Sequence, residues 1–517
     1  MDRAHAMRDD RPNPSEERGT MATKTPAALR PLGTLTFIGM TCALVASIRN
    51  IPDVAATGWQ MFFFMIIATL LFALPITLIS GEFAGMLPKA GGPELWVSAS
   101  LGEKWGFVTS WLLWVQMFPG MVMVASVLAP MFGTAIGNDA LGENKWFTLG
   151  CILVVYWVMT LLNLRFDMAK IGGQIGIWLG LYIPLVIMFV LGVAAQFKTG
   201  IDKNAILGTF STDALIPKLG DSQVQAYFLA IVFIFVGIEM SSVYITRLKN
   251  PVHTYLRGVF AALVFMFIFN TVNALLVANV VPKGTIQLNN VAQPVSIYLT
   301  ILGFPSFIAN IFAALVFVGV AVQLSAWATG PSKTITQSAR RGLYPPQFRF
   351  WKTNKLDVAP TVLMTQAAFI SFFALVYLII PGVNSAFLTL VTTTTLLYII
   401  VYVLMTVGII RLRHTSADAP RPFRIGGKTG DGLLWVISVI LLGTMAVGTA
   451  LTIKSNDTTN RIVIIAITAV LFVAPLIIHG LSKPSWRTDV QAELPASDHP
   501  HVQPAQGSAS PAVATAQ

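Results

Sequence analysis

Arg49 stands about fifteen residues into a long apolar stretch, in the run Ser47-Ile48-Arg49-Asn50-Ile51-Pro52-Asp53. A guanidinium keeps its charge in proteins, and placing it at membrane depth costs at least ~2.5 kcal/mol even on lenient scales. Its forked donors suit a carboxylate. Pro52 removes a backbone donor, and Asn50 and Asp53 are poor helix formers, so a helix is expected to break here. A second mid-span interruption reads Phe233-Ile234-Phe235-Val236-Gly237-Ile238-Glu239-Met240-Ser241-Ser242. Three roles are open to Glu239: carrying a proton, gating a site, or neutralising Arg49 in a static pair that joins the two broken helices. Arg49 is equally open to pairing with Asp53 or reaching an interface.

Other polar groups lie inside apolar runs. Tyr398 and Tyr402 are four residues apart and share one helical face. With Trp327 they offer aromatic surface carrying a polar handle, suited to closing over a small substrate or simply to packing. Gln116 and Gln323 are expected to hydrogen-bond between helices. The run Thr392–Thr395 suits either a polar cavity wall or close packing. No HExxH, phosphate-binding loop, nucleophile elbow or paired Cys/His spacing is present, so neither an enzyme nor a metal or other cofactor is expected. Without a phosphate-binding loop, uphill movement of a solute would have to draw on another solute's gradient.

The elements that must hold these residues are membrane helices. Of 517 residues, 55% are hydrophobic and only 11% charged, against roughly 25% charged in soluble domains. Twelve spans are expected, at 34–57, 60–86, 105–132, 146–164, 173–196, 223–246, 255–281, 305–331, 359–380, 386–412, 433–454 and 461–480. The net charge of +11 does not point to nucleic acid, because the basic residues sit in short loops. Segments on the N-terminal side hold 26 Lys and Arg, and the opposite loops hold 7, which predicts a multi-pass inner-membrane protein with both termini cytoplasmic. Cys42 and Cys151 lie in apolar segments and read as small buried hydrophobes.

The expected organisation is a cytoplasmic tail over 1–33, a transporter domain over 34–480 and a disordered cytoplasmic tail over 481–517. Met21 is an alternative start, and no secretory signal is expected before the first span. His499 and His501 in the second tail read as incidental. The interrupted spans are the first and the sixth. Breaks at matching positions of two halves point to a five-plus-five inverted repeat with a site at the midplane and two spans appended.

The motifs then resemble the amino acid–polyamine–organocation superfamily of transporters. Glu82-Phe83-Ala84-Gly85-Met86-Leu87-Pro88-Lys89-Ala90-Gly91-Gly92-Pro93, followed by Trp96, is similar to the family's signature after span two. Asn250-Pro251, Ser338-Ala339-Arg340-Arg341-Gly342-Leu343-Tyr344-Pro345 and Arg421-Pro422-Phe423-Arg424 match in the same order, although Arg247 stands where an acid is common. Within the superfamily the chain resembles above all the bacterial glutamate/γ-aminobutyrate antiporter branch, through Val54-Ala55-Ala56-Thr57-Gly58, Gly237-Ile238-Glu239 and Gly330-Pro331-Ser332-Lys333.

The resemblance implies an all-α, leucine-transporter-like fold with helices 1 and 6 broken, and a substrate held by backbone groups at Ala46, Ser47, Ile48, Arg49 and Asn50 and at Phe235, Val236 and Gly237. It implies cavity roles for Trp327, Tyr398 and Tyr402, and gating or proton coupling at Glu239 and Gln323. Arg49 stands where that branch has an uncharged aromatic, and Gln323, which cannot titrate, where it has a glutamate; both changes make the cavity more positive. The expectation is a secondary active antiporter of acidic amino acids or related amines, working as a monomer or homodimer in the lipid bilayer. A proton-coupled uptake permease is the alternative, and a non-transporting sensor or channel a further one. The tail is short and unlike the branch's, so no autoinhibitory plug is implied.

Overall fold

The computed structural model describes residues 32–45, 47–87, 92–200, 202–218, 225–248, 251–427 and 431–494. These residues form helices and no strand. Ten helices are long and apolar enough to cross a membrane: α3 (Gly58–Met86), α5 (Glu103–Ala135), α6 (Lys145–Arg165), α7 (Trp178–Thr199), α9 (His253–Ala278), α11 (Phe307–Arg340), α12 (Pro360–Ile379), α13 (Val383–Thr415), α14 (Gly432–Ser455) and α15 (Thr458–Gly480). The remaining two apolar stretches are the interrupted ones. The first is α1 (Thr34–Val45) followed by α2 (Asn50–Ala55). The second is α8 (Phe228–Phe233) followed by a 3-10 segment, Ile238–Arg247.

Local chemistry accounts for both interruptions. Pro52 falls in the first turn of α2, where its missing N–H would have no helical partner in any case. Gly237 adopts a left-handed backbone (φ 91°, ψ 3°), which glycine enters without a Cβ clash. The halves pair across the breaks: α2 packs against α8 and α9, and α1 against α9 and the 3-10 segment. A backbone bond from Leu32 N–H to the Arg247 carbonyl (2.8 Å) ties the start of one to the end of the other. The two breaks therefore sit at the same level in the bundle.

Three departures from the sequence reading follow, the first two with plain causes. The eighth span does not stop at Pro331; α11 continues through it to Arg340, and the Ser332 and Thr336 hydroxyls bond carbonyls of the adjoining turns. Within the tail expected to be disordered, Pro484–Glu493 form α16, because Val490 is fully buried and Lys352 pairs with Glu493 (2.6 Å). Two short helices, α4 (Pro93–Leu101) and α10 (Ala292–Leu302), lie in connections read as loops. Ala46, Asn250, His499 and His501 lie outside the described residues, as do the first 31 residues.

Close backbone packing and one ion cluster hold the frame. Gly172, Gly176 and Gly180 recur every fourth residue against α11. A Cβ on Gly180 would fall 2.7 Å from the Gly319 carbonyl carbon, and one on Gly176 would fall 2.9 Å from the Gln323 nitrogen. Small residues at this spacing let membrane helices approach closely. Near the Met86 end of α3, Glu82 is fully buried and accepts from Arg413 Nε (2.8 Å), Arg413 Nη2 (2.6 Å) and the Ile425 backbone N–H (2.9 Å). Arg413 also reaches Asp431 (2.7 Å), and hydrogen bonds from Arg413 and Arg424 hold the Asp431 carboxyl below its ordinary range. The family-like segments around Glu82 and Arg421–Arg424 thus meet in one clasp between α3, α13 and the approach to α14.

This clasp yields a test. Arg413→Met leaves the Glu82 carboxylate buried without its main partner, and should cost about 3–5 kcal/mol in detergent unfolding measurements. The double change Glu82→Leu with Arg413→Met should recover much of that loss, since removing both charges removes the unpaired one.

Candidate functional site

The site is assembled from the two breaks outward. At the first, the chain leaves α1 and re-enters helix at Asn50, with Asn50 N–H on the Ser47 carbonyl (3.4 Å) and Ile51 N–H on the Ile48 carbonyl (3.3 Å). The Ser47 hydroxyl accepts from Arg49 twice, from its backbone N–H (3.3 Å) and from Nε (2.9 Å). The guanidinium then lies over the Trp327 ring, 4.8 Å from its centroid, a cation–π contact that α11 supplies. Arg49 is 3% exposed, and its Nη1 has no partner among the described residues. Beside it Ser47, Ile48 and Arg49 face Gly180, Leu181, Val320 and Gln323 across a narrow crevice that is too tight to admit a water molecule.

At the second break Gly237 directs its N–H to the Tyr402 hydroxyl (2.9 Å). The same hydroxyl donates to Glu239 Oε2 (2.8 Å), and the Tyr398 hydroxyl donates to Oε1 (2.8 Å). The two rings, 5.0 Å apart, stand on one face of α13 as their spacing predicts. Phe72, in a π-helical turn of α3, packs edge-on to Tyr402 at 5.5 Å. On the backbone side, Tyr255 from α9 lies 3.5 Å from the Glu239 carbonyl. Glu239 is fully buried with both carboxylate oxygens occupied.

Several expectations are corrected by this geometry. Arg49 and Glu239 form no ion pair: Glu239 is taken up by two tyrosines, and Arg49 by Ser47 and Trp327. Arg49 does not pair with Asp53 either, since both Asp53 oxygens are buried without a partner among the described residues. Gln116 bonds the Leu113 carbonyl of its own helix (3.2 Å) and does not join two helices. Thr392–Thr395 are all buried, and Thr395 reaches across to the Leu229 carbonyl of α8 (3.3 Å), so this run ties α13 to the broken span.

The sequence-singled residues thus fall into two groups. Ser47, Ile48, Arg49, Gln323 and Trp327 gather around the crevice at the first break. Gly237, Glu239, Tyr398 and Tyr402 gather at the second, where Phe235 is buried in the turn and Val236 partly so; Asn50 is buried beside the first break. Three participants were not singled out: Gly180 in the crevice wall, Phe72 behind Tyr402, and Asp53 as an unpaired acid. The Gly172-Gly176-Gly180 spacing was the available signal for the first. Asp53 had been read only as a helix breaker or a partner for Arg49.

Comparison with known proteins places this geometry. Residues 32–477 match the family model described as amino acid permease. An uncharacterized transporter of Legionella pneumophila is 27% identical over 425 residues, covering 80% of this chain and 89% of that protein. A glutamate/gamma-aminobutyrate antiporter of Lactococcus lactis is 25% identical over 464 residues, covering 86% and 89%. The probable agmatine/putrescine antiporter of the same species is 22% identical over 478 residues, covering 90% and 96%. With a match running from the start of α1 almost to the end of α15, the chain belongs to the amino acid permease family.

Proposed function

We propose that this protein is a secondary active amino acid antiporter of the bacterial inner membrane, exchanging an acidic amino acid for a related amine or γ-amino acid by alternating access. One observation carries the reading: two interrupted helices paired half to half, with the second break latched by Tyr402 and Glu239. Broken backbone at membrane depth is tolerated only where it is buried or lines a cavity, and here it is buried. The ten long helices and the two interrupted ones make twelve spans, in our reading a five-plus-five inverted repeat with α14 and α15 appended and both termini cytoplasmic. The antiporters among the relatives support exchange over one-way uptake.

In this reading the freed backbone groups near Ser47–Arg49 and Phe235–Gly237 take the substrate's α-carboxylate and α-amino group, and helix ends at the breaks contribute their partial charges. The unpartnered Nη1 of Arg49 takes a second carboxylate, which favours acidic over neutral substrates. Glu239 acts as the gate. Its two hydrogen bonds hold the broken span against α13, and opening the site from that side requires them to part.

Two expectations follow. Purified protein in liposomes loaded with labelled glutamate should release it faster when an external amino acid substrate is present; release indifferent to external substrate would remove the case for exchange. Arg49→Ala should weaken acidic substrates by about 10- to 100-fold, the worth of a charge-assisted hydrogen bond, while leaving neutral ones much less affected. Equal loss for both classes would make Arg49 a purely structural group.

The latch gives an ordering. Tyr402→Phe removes both the donor to Glu239 and the acceptor for Gly237, whereas Tyr398→Phe removes one bond. The first should lower thermal stability more, by about 1–3 kcal/mol for each buried polar group left unpaired. A reversed order in melting measurements would contradict the latch.

A further inference from the structure

Asp53 is the buried acid that the site geometry leaves unaccounted for. It stands on α2 one turn past the break, is 1% exposed, and has no hydrogen-bond or ion-pair partner for either carboxylate oxygen among the described residues. An ionised carboxylate in such surroundings is costly, and a protonated one far less so. The contrast with Glu239 is chemical. Two tyrosine hydroxyls supply Glu239 with the donors an anion needs, and Asp53 has none among the described residues.

The groups around Asp53 limit what it can exchange a proton against. The elements packed on α2 are α8 and α9. No residue of α8 is ionisable, and Tyr227 immediately before it is the titratable neighbour. Ionisable groups of α9 are His253, Tyr255 and Arg257, all in its first turns, with the Tyr255 hydroxyl engaged by Ser80 (3.3 Å). The cation capping Asp53's own half-helix is Arg49. Its backbone is helical (φ −70°, ψ −22°), so the spacing of four places both side chains on one face. They are nevertheless apart, with the guanidinium over Trp327 and Nη1 without a partner among the described residues.

We propose that Asp53 is a proton-binding site of the transport cycle, and that its protonation decides whether Arg49 is available to a substrate carboxylate. Resting on the transporter reading above, this names the coupling group. With its proton on, Asp53 is neutral and Arg49 is free to hold the substrate. When the site opens to water, the carboxyl gives its proton to solvent on that side and becomes an anion. Arg49, protonated throughout, then turns from the substrate carboxylate to Asp53. One proton thus accompanies each acidic substrate. Because the bound proton favours substrate binding, affinity is full at low pH. It falls as pH rises through the titration of Asp53, by up to about tenfold per pH unit for one proton.

The test uses the full chain in liposomes and labelled glutamate, with binding measured from about pH 5 to about pH 8 and a trapped pH dye reporting proton movement. Wild-type protein should show the falling affinity, and a proton signal when external glutamate is exchanged for an internal γ-amino acid that lacks the second carboxylate. Asp53→Asn, a neutral mimic of the protonated acid, should exchange glutamate with no pH dependence of affinity and no proton signal. Asp53→Glu, which keeps an acid, should retain the slope with a displaced midpoint. An Asp53→Asn protein with the wild-type slope overturns the proposal. Wild-type exchange with neither slope nor proton signal overturns it while leaving the transporter reading intact. Wild-type liposomes that exchange nothing overturn both.

Discussion

Peptide groups released by breaking a helix inside hydrocarbon have no water to turn to, and each one left unpaired costs several kcal/mol. That constraint organises this molecule. At the second break the Gly237 N–H finds the Tyr402 hydroxyl, which can accept it while donating to Glu239. One side chain of α13 thus satisfies the backbone of the broken span and a buried acid together. At the first break the job falls to local turns at Asn50 and Ile51 and to the Ser47 hydroxyl, which gathers Arg49. The two solutions differ in completeness. The second is closed on itself, whereas the first leaves Arg49 Nη1 and both Asp53 oxygens without partners among the described residues.

The division between closed and open networks separates frame from working parts. Glu82 and Arg413 are as deeply buried as Arg49, yet they are fully matched, bidentate and joined by the Ile425 backbone and Asp431. A pairing so complete resists change, which suits a joint between α3, α13 and α14. On the other side of the crevice, the glycines of α7 and of the turn preceding it bring backbone against α11, so that wall has little room to deform. The unmatched charges sit on α2, a half-helix of six residues flanked by a break, and on the residue that caps it. Substrate and proton have unmet bonding capacity to engage there and little at the clasp.

Much of this was legible in residue types. Pro52 and Gly237 marked the breaks because proline lacks a donor and glycine admits a left-handed backbone, and both read the same way without coordinates. The spacing of Tyr398 and Tyr402 placed them on one face, where they are found. What could not be read was who pairs with whom. Arg49 and Glu239 look like natural partners in a list of charges, but the choice depends on three-dimensional approach, and Trp327 and two tyrosines reached them first. The clasp illustrates the same limit. Glu82 and the Arg421–Arg424 segment were visible as motifs, while the arginine that pairs most tightly with Glu82 is Arg413, which no motif marked. Pro331 shows the reverse error, since a residue that usually ends a helix is carried inside α11 where neighbouring hydroxyls bond the adjoining turns.

In our proposal a substrate is held between the two breaks. A density map of the full chain in nanodiscs with bound glutamate tests this most directly. The substrate's α-carboxylate and α-amino group should lie against the backbone of residues 47–49 and 235–237, with its side-chain carboxylate on Arg49. Glutamate seated elsewhere, with both breaks unchanged and unoccupied, would contradict it.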